Sequence, residues 1–405
     1  MNLPLFISKR ISSNSDGSFS TVISRIAVIS IAVAIIALIC AFTILGGFEN
    51  TIKEKIYTFS GHLVVSKYTL STSYEDSPID VSDSVLSHIE SLPGIDYLQT
   101  YAYKAGLLKA NEEVQGVILK GLDQNFDTVS FSDHLIKGRF PTFPDEGYGQ
   151  EVAISSKMAR YLKLDIGDEM IIFFIQEPPR FRKLILTGIY ETGLEDFDEK
   201  TILGDINLVR RINGWERDKA AGIEVFLKDV ENLEAAEDLI FNETGNDLYV
   251  DKVSDKYAGI FDWLSLLHRN VIIFFWIILF IASLNMISIL LILIMERIQM
   301  IGTFKALGAT GGLLRRVFLF NGLLLITKGL FWGNLISLGV CWIQYQFKVM
   351  PLDVTSYYMS HVPISFDLNA IILINVLAVV IVGLTLFLPL LVISRIKPIV
   401  AIRFD

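Results

Sequence analysis

Residues that carry chemistry are scarce in this chain. Cysteine occurs twice, as Cys40 and Cys341, and both lie inside long apolar runs. The polar stretch 49–268 has none, so no disulfide framework holds it, and its 220 residues are enough to bury a core of their own. The five histidines, His62, His88, His134, His268 and His361, are scattered, which leaves no zinc-ligand spacing. G-x-S-x-G, H-E-x-x-H and C-x-x-C do not occur, so no hydrolase, metalloprotease or dithiol motif is present. The run Gly308-Ala309-Thr310-Gly311-Gly312 is glycine-rich, but without G-x-x-x-x-G-K-(S/T) it cannot cradle nucleotide phosphates. Acidic pairs such as Glu195-Asp196 and Asp198-Glu199 are expected by chance among the 39 acids of 49–268 and read as a solvated face. No cofactor, metal or catalytic constellation is expected.

What the chain has in quantity is apolar surface. It is 52% hydrophobic with a mean hydropathy of +0.49, too apolar for an ordinary soluble enzyme. Residues 26–45, 271–295 and 370–394 are uncharged, and 317–347 holds a single charge, Lys328. A hydrocarbon core about 30 Å thick needs roughly 20 apolar residues in a helix, so each run is long enough to span it. The fold class expected is an α+β membrane protein: four transmembrane helices in a one-plus-three order, with a large mixed α/β domain between the first and second. The first run could instead be a cleaved signal peptide. Its apolar core is longer than usual, and 43–46 is a poor cleavage site, so an uncleaved anchor is favoured.

Charge sets the orientation. The whole chain carries −9, yet 49–268 has 39 acids and 22 bases, or −17. Lys9, Arg10, Arg25, Arg297, Lys305, Arg315, Arg316, Arg395, Lys397 and Arg403 flank the spans on the other side, opposed only by Asp16, Glu296 and Asp405. Short basic loops stay in the cytosol, whereas long domains cross largely regardless of charge. The expected division is a cytosolic segment 1–25, a span 26–45, an external domain 46–268 and a span 271–295. A cytosolic connector 296–316, a span 317–347, a short external loop 348–369, a span 370–394 and a cytosolic end 395–405 follow.

Within the external domain, residues 222–253 read as a β–α–β unit, with Asp229 capping a helix from about 230 to 241. A second such unit covers 151–175, with Ser155 or Ser156 as cap and a Gly167-Asp168 turn. Residues 107–119, broken at 111–113, look like a hairpin. Pro178 and Pro179 remove two amide donors between strand-like runs, so 176–180 should project. That segment is either an ordinary rigid loop or a contact element for a partner. A helix capped by Ser254 is expected to run straight into the second span, since 261–295 contains neither proline nor glycine. The first span is expected to leave through Gly46-Gly47 into a charged helical stretch, 50–55.

Residues 295–316 contain a short amphipathic helix with Met300, Phe304 and Leu307 as its apolar stripe, ended at Gly308 by a left-handed turn. Such a helix rests on lipid or on another protein. Lys328 lies mid-span, where a lysine costs about 2.5–3.5 kcal/mol on insertion scales. Two readings are open: contact with a polar or anionic part of a cargo, or a lysine that snorkels to the interface. Gly329 and Gly333 form a G-x-x-x-G suited to close helix packing, a plausible seam with a partner chain.

The segment ERIQMIGTFKALGATGGLLRRVFLFNGLLL resembles the coupling segment of FtsX/MacB-type ABC permeases, E-I-G-I-L-(K/R)-A-L-G-A-(T/S), with Thr303-Phe304 in place of the usual aliphatic pair. The ending, Lys397 to Asp405, resembles P-A-x-A-L-R-x-E. Leu45-Gly46-Gly47-Phe48-Glu49 and His62-Leu63-Val64-Val65 resemble the N-G-F-E and H-(V/I)-x-(V/I) patterns of the lipoprotein-releasing, LolC/LolE-type branch, although Gly46 stands where Asn is usual. The resemblance implies an inner-membrane permease with a periplasmic MacB-like domain, working with a cytosolic ATPase dimer that binds the ATP and with a second permease, itself or a sister. Its cargo would be lipoproteins extracted from the inner membrane and handed to a periplasmic carrier. Ile298, Ile301, Phe304, Lys305, Ala306, Leu307 and Gly308 would dock on the ATPase, and Pro178, Pro179 and Arg180 would touch the carrier. Phe48 and Lys328 are the candidates for a membrane cavity. The alternatives are another permease of the same group, exporting a different substrate or acting on a cell-wall hydrolase activator, and an unrelated membrane-anchored enzyme or sensor.

Overall fold

The computed structural model describes residues 19–68, 77–111, 113–144, 146–244, 248–353 and 357–395. Lys9, Arg10 and the Lys397–Asp405 motif lie outside these. The chain forms two compact units. One holds residues up to Asn50, Trp263–Pro351 and those from His361 onward; the other holds Thr51–Asp262 and Leu352–Ser360.

Helix α1 (Phe19–Ser60) runs unbroken through Gly46 and Gly47, well past the expected end at Leu45. Gly47 does not interrupt the helix but lets another segment approach, because a Cβ there would lie 2.6 Å from the Pro363 carbonyl. Gly61, at φ +71°, ends α1 and donates its amide to the Tyr57 carbonyl at 2.8 Å.

The second of these units follows in chain order. It comprises β1 (Leu63–Lys67), β2 (Ile79–Asp80), α2 (Asp83–Glu90), β3 (Ile95–Ala110), β4 (Glu113–Leu122), α3 (Thr128–Ser132), β5 (Leu135–Gly138), β6 (Glu151–Ser155) and α4 (Ser156–Leu162). Then come β7 (Glu169–Phe174), β8 (Arg180–Tyr190), α5 (Glu195–Asp198), β9 (Thr201–Asp205), α6 (Ile206–Asn213), β10 (Lys219–Ala220), β11 (Gly222–Leu227), α7 (Leu233–Thr244), β12 (Leu248–Lys252) and α8 (Val253–Lys256). One sheet runs β12-β1-β11-β3-β4-β9-β6-β8-β5. Since β7 pairs with both β3 and β8, six strands close into a ring, and closure removes exposed edges. Pairing is antiparallel apart from β4 with β9 and β6 with β8. Strand β1 lies between β11 and β12, with Leu63 opposite both Val225 and Lys252, so the unit begins and ends at one place.

The hairpin is β3–β4, with Ala110 opposite Glu113. Helix α7 does join β11 to β12, but a 3-10 turn at Val230–Asn232 precedes it, so Asp229 opens that turn rather than capping α7. Ser155 is the cap of α4, its hydroxyl accepting the Met158 amide at 3.0 Å. The strands on either side do not form a β–α–β pair, however. Both pair with β8: β7 antiparallel through a local hairpin, and β6 parallel, a long-range pairing with no local signature. Ser254 is not a cap either: it lies inside α8, a single turn that Tyr257 interrupts.

A buried ion pair closes the end of α1. Lys120, on β4, donates to the Phe59 carbonyl in the last turn of α1 and to Glu224 Oε1 at 2.6 Å. Its side chain is 1% exposed and its ammonium sits 5.8 Å from the Tyr101 ring centroid. The other Glu224 oxygen accepts from Gln99. Burial pulls the Lys120 ammonium below its ordinary pKa while Glu224 opposes that shift, and a cation at a helix C-terminus is favourable in addition.

Helices α9 (Ala258–Glu296), α10 (Ile298–Ala306), α11 (Gly311–Phe347), α12 (Leu368–Thr385) and α13 (Phe387–Arg395) complete the chain. Four stretches, Thr21–Ser60, Ala258–Glu296, Gly311–Phe347 and Leu368–Ile393, are long and apolar enough to cross a membrane. The fourth span breaks at Leu386 because Pro389 has no amide for the Thr385 carbonyl. Ile35 and Leu38 of α1, Leu279 and Met286 of α9, Leu325 of α11, Ile374 of α12 and Leu390 of α13 share one core. Asn334 and Asn375 exchange amide hydrogen bonds of 2.7 and 2.9 Å between α11 and α12.

The glycine seam is internal to the chain rather than with a partner. A Cβ at Gly329 would stand 2.6 Å from Ile31 Cβ, and one at Gly333 would stand 2.8 Å from Ile35 Cβ. Farther along the same contact, Cys40 and Cys341 bring their sulfurs to 3.9 Å. Helices α1 and α11 are therefore parallel neighbours.

Two predictions follow from this packing. Lys120→Ala strands Glu224, a loss of about 3–5 kcal/mol; the thermal midpoint of the full chain in detergent should fall, and Lys120→Met with Glu224→Leu should recover most of it. Copper-phenanthroline oxidation should cross-link Cys40 to Cys341 within one chain, read by mass spectrometry of the digested protein. Failure of that cross-link would refute the α1–α11 pairing.

Candidate functional site

The short helix α10 owes its position to its two ends. Arg297, at φ −100° and ψ 20°, breaks the path from α9. At the other end Leu307 is the cap and Gly308 takes φ +94°. The Gly308 amide donates to the Lys305 carbonyl at 3.1 Å and the Ala309 amide to the Phe304 carbonyl at 2.9 Å. This is the six-to-one and five-to-two pattern that glycine closes at a helix end. Thr310 then caps α11, its hydroxyl accepting the Leu313 amide.

The seven residues expected at the coupling site divide into two sets. Ile301 is fully buried, Met300 and Phe304 pack against the core of the spans, and Ile298 is half-buried. Lys305 donates to the Ile393 carbonyl of α13 at 3.0 Å. Ala306, Leu307 and Gly308 face outward with Gln299 and Thr303. The spacing of 299, 303 and 306 places these helical positions on one face, with the cap Leu307 beside them. The expected stripe is thus corrected: Met300 and Phe304 turn to the chain's own helices, whereas Leu307 is 79% exposed.

The proline segment is the loop of a hairpin, for Phe174 pairs with Arg180. Arg180 is the first residue of β8 rather than part of the loop. Its guanidinium donates to the Arg211 and Ile212 carbonyls, 2.8 and 3.0 Å away, at the C-terminal end of α6. Pro178 and Pro179 occupy the loop, beside exposed Ile175 and with exposed Phe181 on the following strand.

Phe48 and Lys328 are not brought together. Phe48 packs edge-on against Trp263, with ring centroids 5.5 Å apart. Lys328 lines an open groove of about 570 Å³ between α1 and α11 that also takes in Arg25, Asn321 and Trp332. Sequence reasoning missed the contacts of Lys55 in the last turns of α1, which donates to the Thr192 and Tyr358 carbonyls at 2.6 Å each. Through Tyr358, Leu352–Ser360 of the loop after α11 belongs to the same unit as Thr51–Asp262. Nothing local marks that lysine out from its charged neighbours. Among the described residues no group of histidine, cysteine or carboxylate side chains is placed to hold a metal.

Comparison with known proteins accounts for both units. Residues 24–241 match the family model of the MacB-like periplasmic core domain, and 272–398 match the C-terminal part of FtsX-like permeases. The chain is 21% identical to the lipoprotein-releasing system transmembrane protein LolC of Xylella fastidiosa, over 96% of this chain and 95% of that one. To the lipoprotein-releasing system transmembrane protein LolE of Haemophilus influenzae it is also 21% identical, over 84% and 82%. Among solved structures, the periplasmic region of MacB from Actinobacillus actinomycetemcomitans aligns at a TM-score of 0.36 and 11% identity, covering 49% of this chain and 91% of that one. The first model alone spans more than half of the sequence, and the chain belongs to the FtsX/MacB family of ABC transporter permeases.

Proposed function

We propose that the chain is the permease half of an ATP-driven complex that extracts lipoproteins from the inner membrane and passes them to a periplasmic carrier. Membership of an ABC permease family implies an ATPase partner. In this reading both termini and α10 are cytosolic, the external unit is periplasmic, and the ATP is bound by that partner. Full-length similarity to LolC, and similarity to LolE over most of the chain, supports lipoproteins as cargo.

The observation that carries the reading is the two-sided helix α10. Its inner side is fixed by Ile301, Phe304 and the Lys305–Ile393 hydrogen bond, while Leu307 stands bare on the outer face beside Gln299, Thr303 and Ala306. An ATPase groove seated there would cover Ala306, Leu307 and Gly308 and leave the inner contacts undisturbed. A stroke of the ATPases would then move α9, α11 and α13 together. The proline loop is the carrier contact in this scheme, made by Pro178 and Pro179, with Arg180 holding the hairpin to α6.

The two faces of α10 should separate under mutation. Leu307→Asp should weaken co-purification of the ATPase about tenfold, the loss of one buried leucine, and should abolish lipoprotein release while leaving the thermal midpoint unchanged. Ile301→Asp should instead lower the midpoint and the amount of inserted protein. ATPase binding unaffected by Leu307→Asp would sink the docking assignment. Normal coupling to an ATPase with no acylated lipoprotein in the purified complex would sink the cargo.

A further inference from the structure

The groove between α1 and α11 is polar at one end and apolar at the other. Arg25, Ser24, Asn321 and Lys328 line the end toward the amino termini of the two helices, and Val33 and Trp332 belong to the apolar remainder. Its volume of about 570 Å³ lies within the usual range of about 300–1,000 Å³ for small-molecule sites. Neither Arg25 nor Lys328 makes a hydrogen bond or ion pair with any described residue.

Axial levels follow from the seam: Gly329 abuts Ile31, and Gly333 abuts Ile35. Lys328 is therefore level with the turn of α1 around Ile31, while Arg25 is six residues earlier, about 9 Å along the axis. Two long cationic side chains bridge that interval between them. A helix of another protein laid into the groove would bury two unpaired cations against apolar surface, an unfavourable exchange. One anionic group would neutralise both, since guanidinium and ammonium each recognise phosphate well.

The geometry points to a binding site for an anionic phospholipid, with the phosphate held between Arg25 and Lys328 and an acyl chain lying along Val33 and Trp332. The membrane itself supplies this occupant, so the site requires neither ATPase nor cargo and is separate from the transport reading. The lipid would fill the open side of the α1–α11 contact and neutralise the charge of a span that otherwise carries a bare lysine.

Trp332 provides the readout. The full-length chain would be placed in phosphatidylcholine nanodiscs doped with dibrominated phosphatidylglycerol or, separately, with dibrominated phosphatidylcholine. The glycerol lipid should quench tryptophan at about tenfold lower mole fraction, the preference expected from two cations near an anionic headgroup. Trp332→Phe should remove the difference. Arg25→Gln combined with Lys328→Gln should also remove it, without changing the thermal midpoint. Equal quenching by the two lipids in the parent chain overturns the proposal, as does a preference that survives the paired exchange. Cross-linking from a cysteine placed at Val33 to a second polypeptide, in a chain lacking Cys40 and Cys341, would assign the groove to protein and overturn it too.

Discussion

The way α1 ends is the constraint around which the strand-bearing unit is arranged. A helix leaves its last carbonyls without partners, and here the Phe59 carbonyl is met by an ammonium enclosed in protein. Lys120 comes from β4, its counter-charge Glu224 from β11, and the amide that holds Glu224 from Gln99 on β3. Three strands therefore have to be in register before the helix end is satisfied. A buried pair of this kind adds little net stability, yet removing one partner leaves the other charged and enclosed. That penalty falls on any arrangement that shifts β4 against its neighbours.

Entry and exit are subject to a second constraint. In the hydrocarbon region every backbone group must be satisfied internally, so the chain can cross only as helix. A body inserted between two such helices folds best when its first and last segments are neighbours. Strand β1, directly after α1, lies between β11 and β12, the latter followed at once by the turn that leads to α9. The ring of six strands closes by pairings internal to residues 95–205, and its strand β4 meets that junction through Lys120.

The four spans, the hairpin, the Ser155 cap and the Gly308 terminus were legible in the sequence because each has a local cause: run length, alternation, a hydroxyl at a helix start, a glycine at its end. What escaped has its cause elsewhere in the chain. Gly46-Gly47 looks like the end of a span, yet the position of Gly47 is decided by Pro363, more than 300 residues away. Lys120 reads as an ordinary strand residue, and its burial is visible only once Glu224 and Phe59 are beside it. The Met300-Phe304-Leu307 stripe is genuine as a pattern, but periodicity cannot say which part of it the chain's own helices will cover. Lys328 announced itself as a charge in an apolar run, whereas Arg25, its neighbour across the groove, looked like one more flanking base.

The coupling role proposed for α10 asks for a helix that is free on one side and stiff on the other. A helix lying loosely on lipid would absorb a push by sliding. In α10 that freedom is removed at three points: Ile301 is sunk into the core of the spans, Lys305 is hydrogen-bonded to the end of α13, and the turn at Gly308 leads within a few residues into the capped start of α11. On its amino side only Arg297 separates it from α9, a single helix back to Ala258 with neither proline nor glycine between Phe261 and Met295. In the proposed role, a push at Leu307 would meet only the break at Arg297 before it reached the 39 residues of α9.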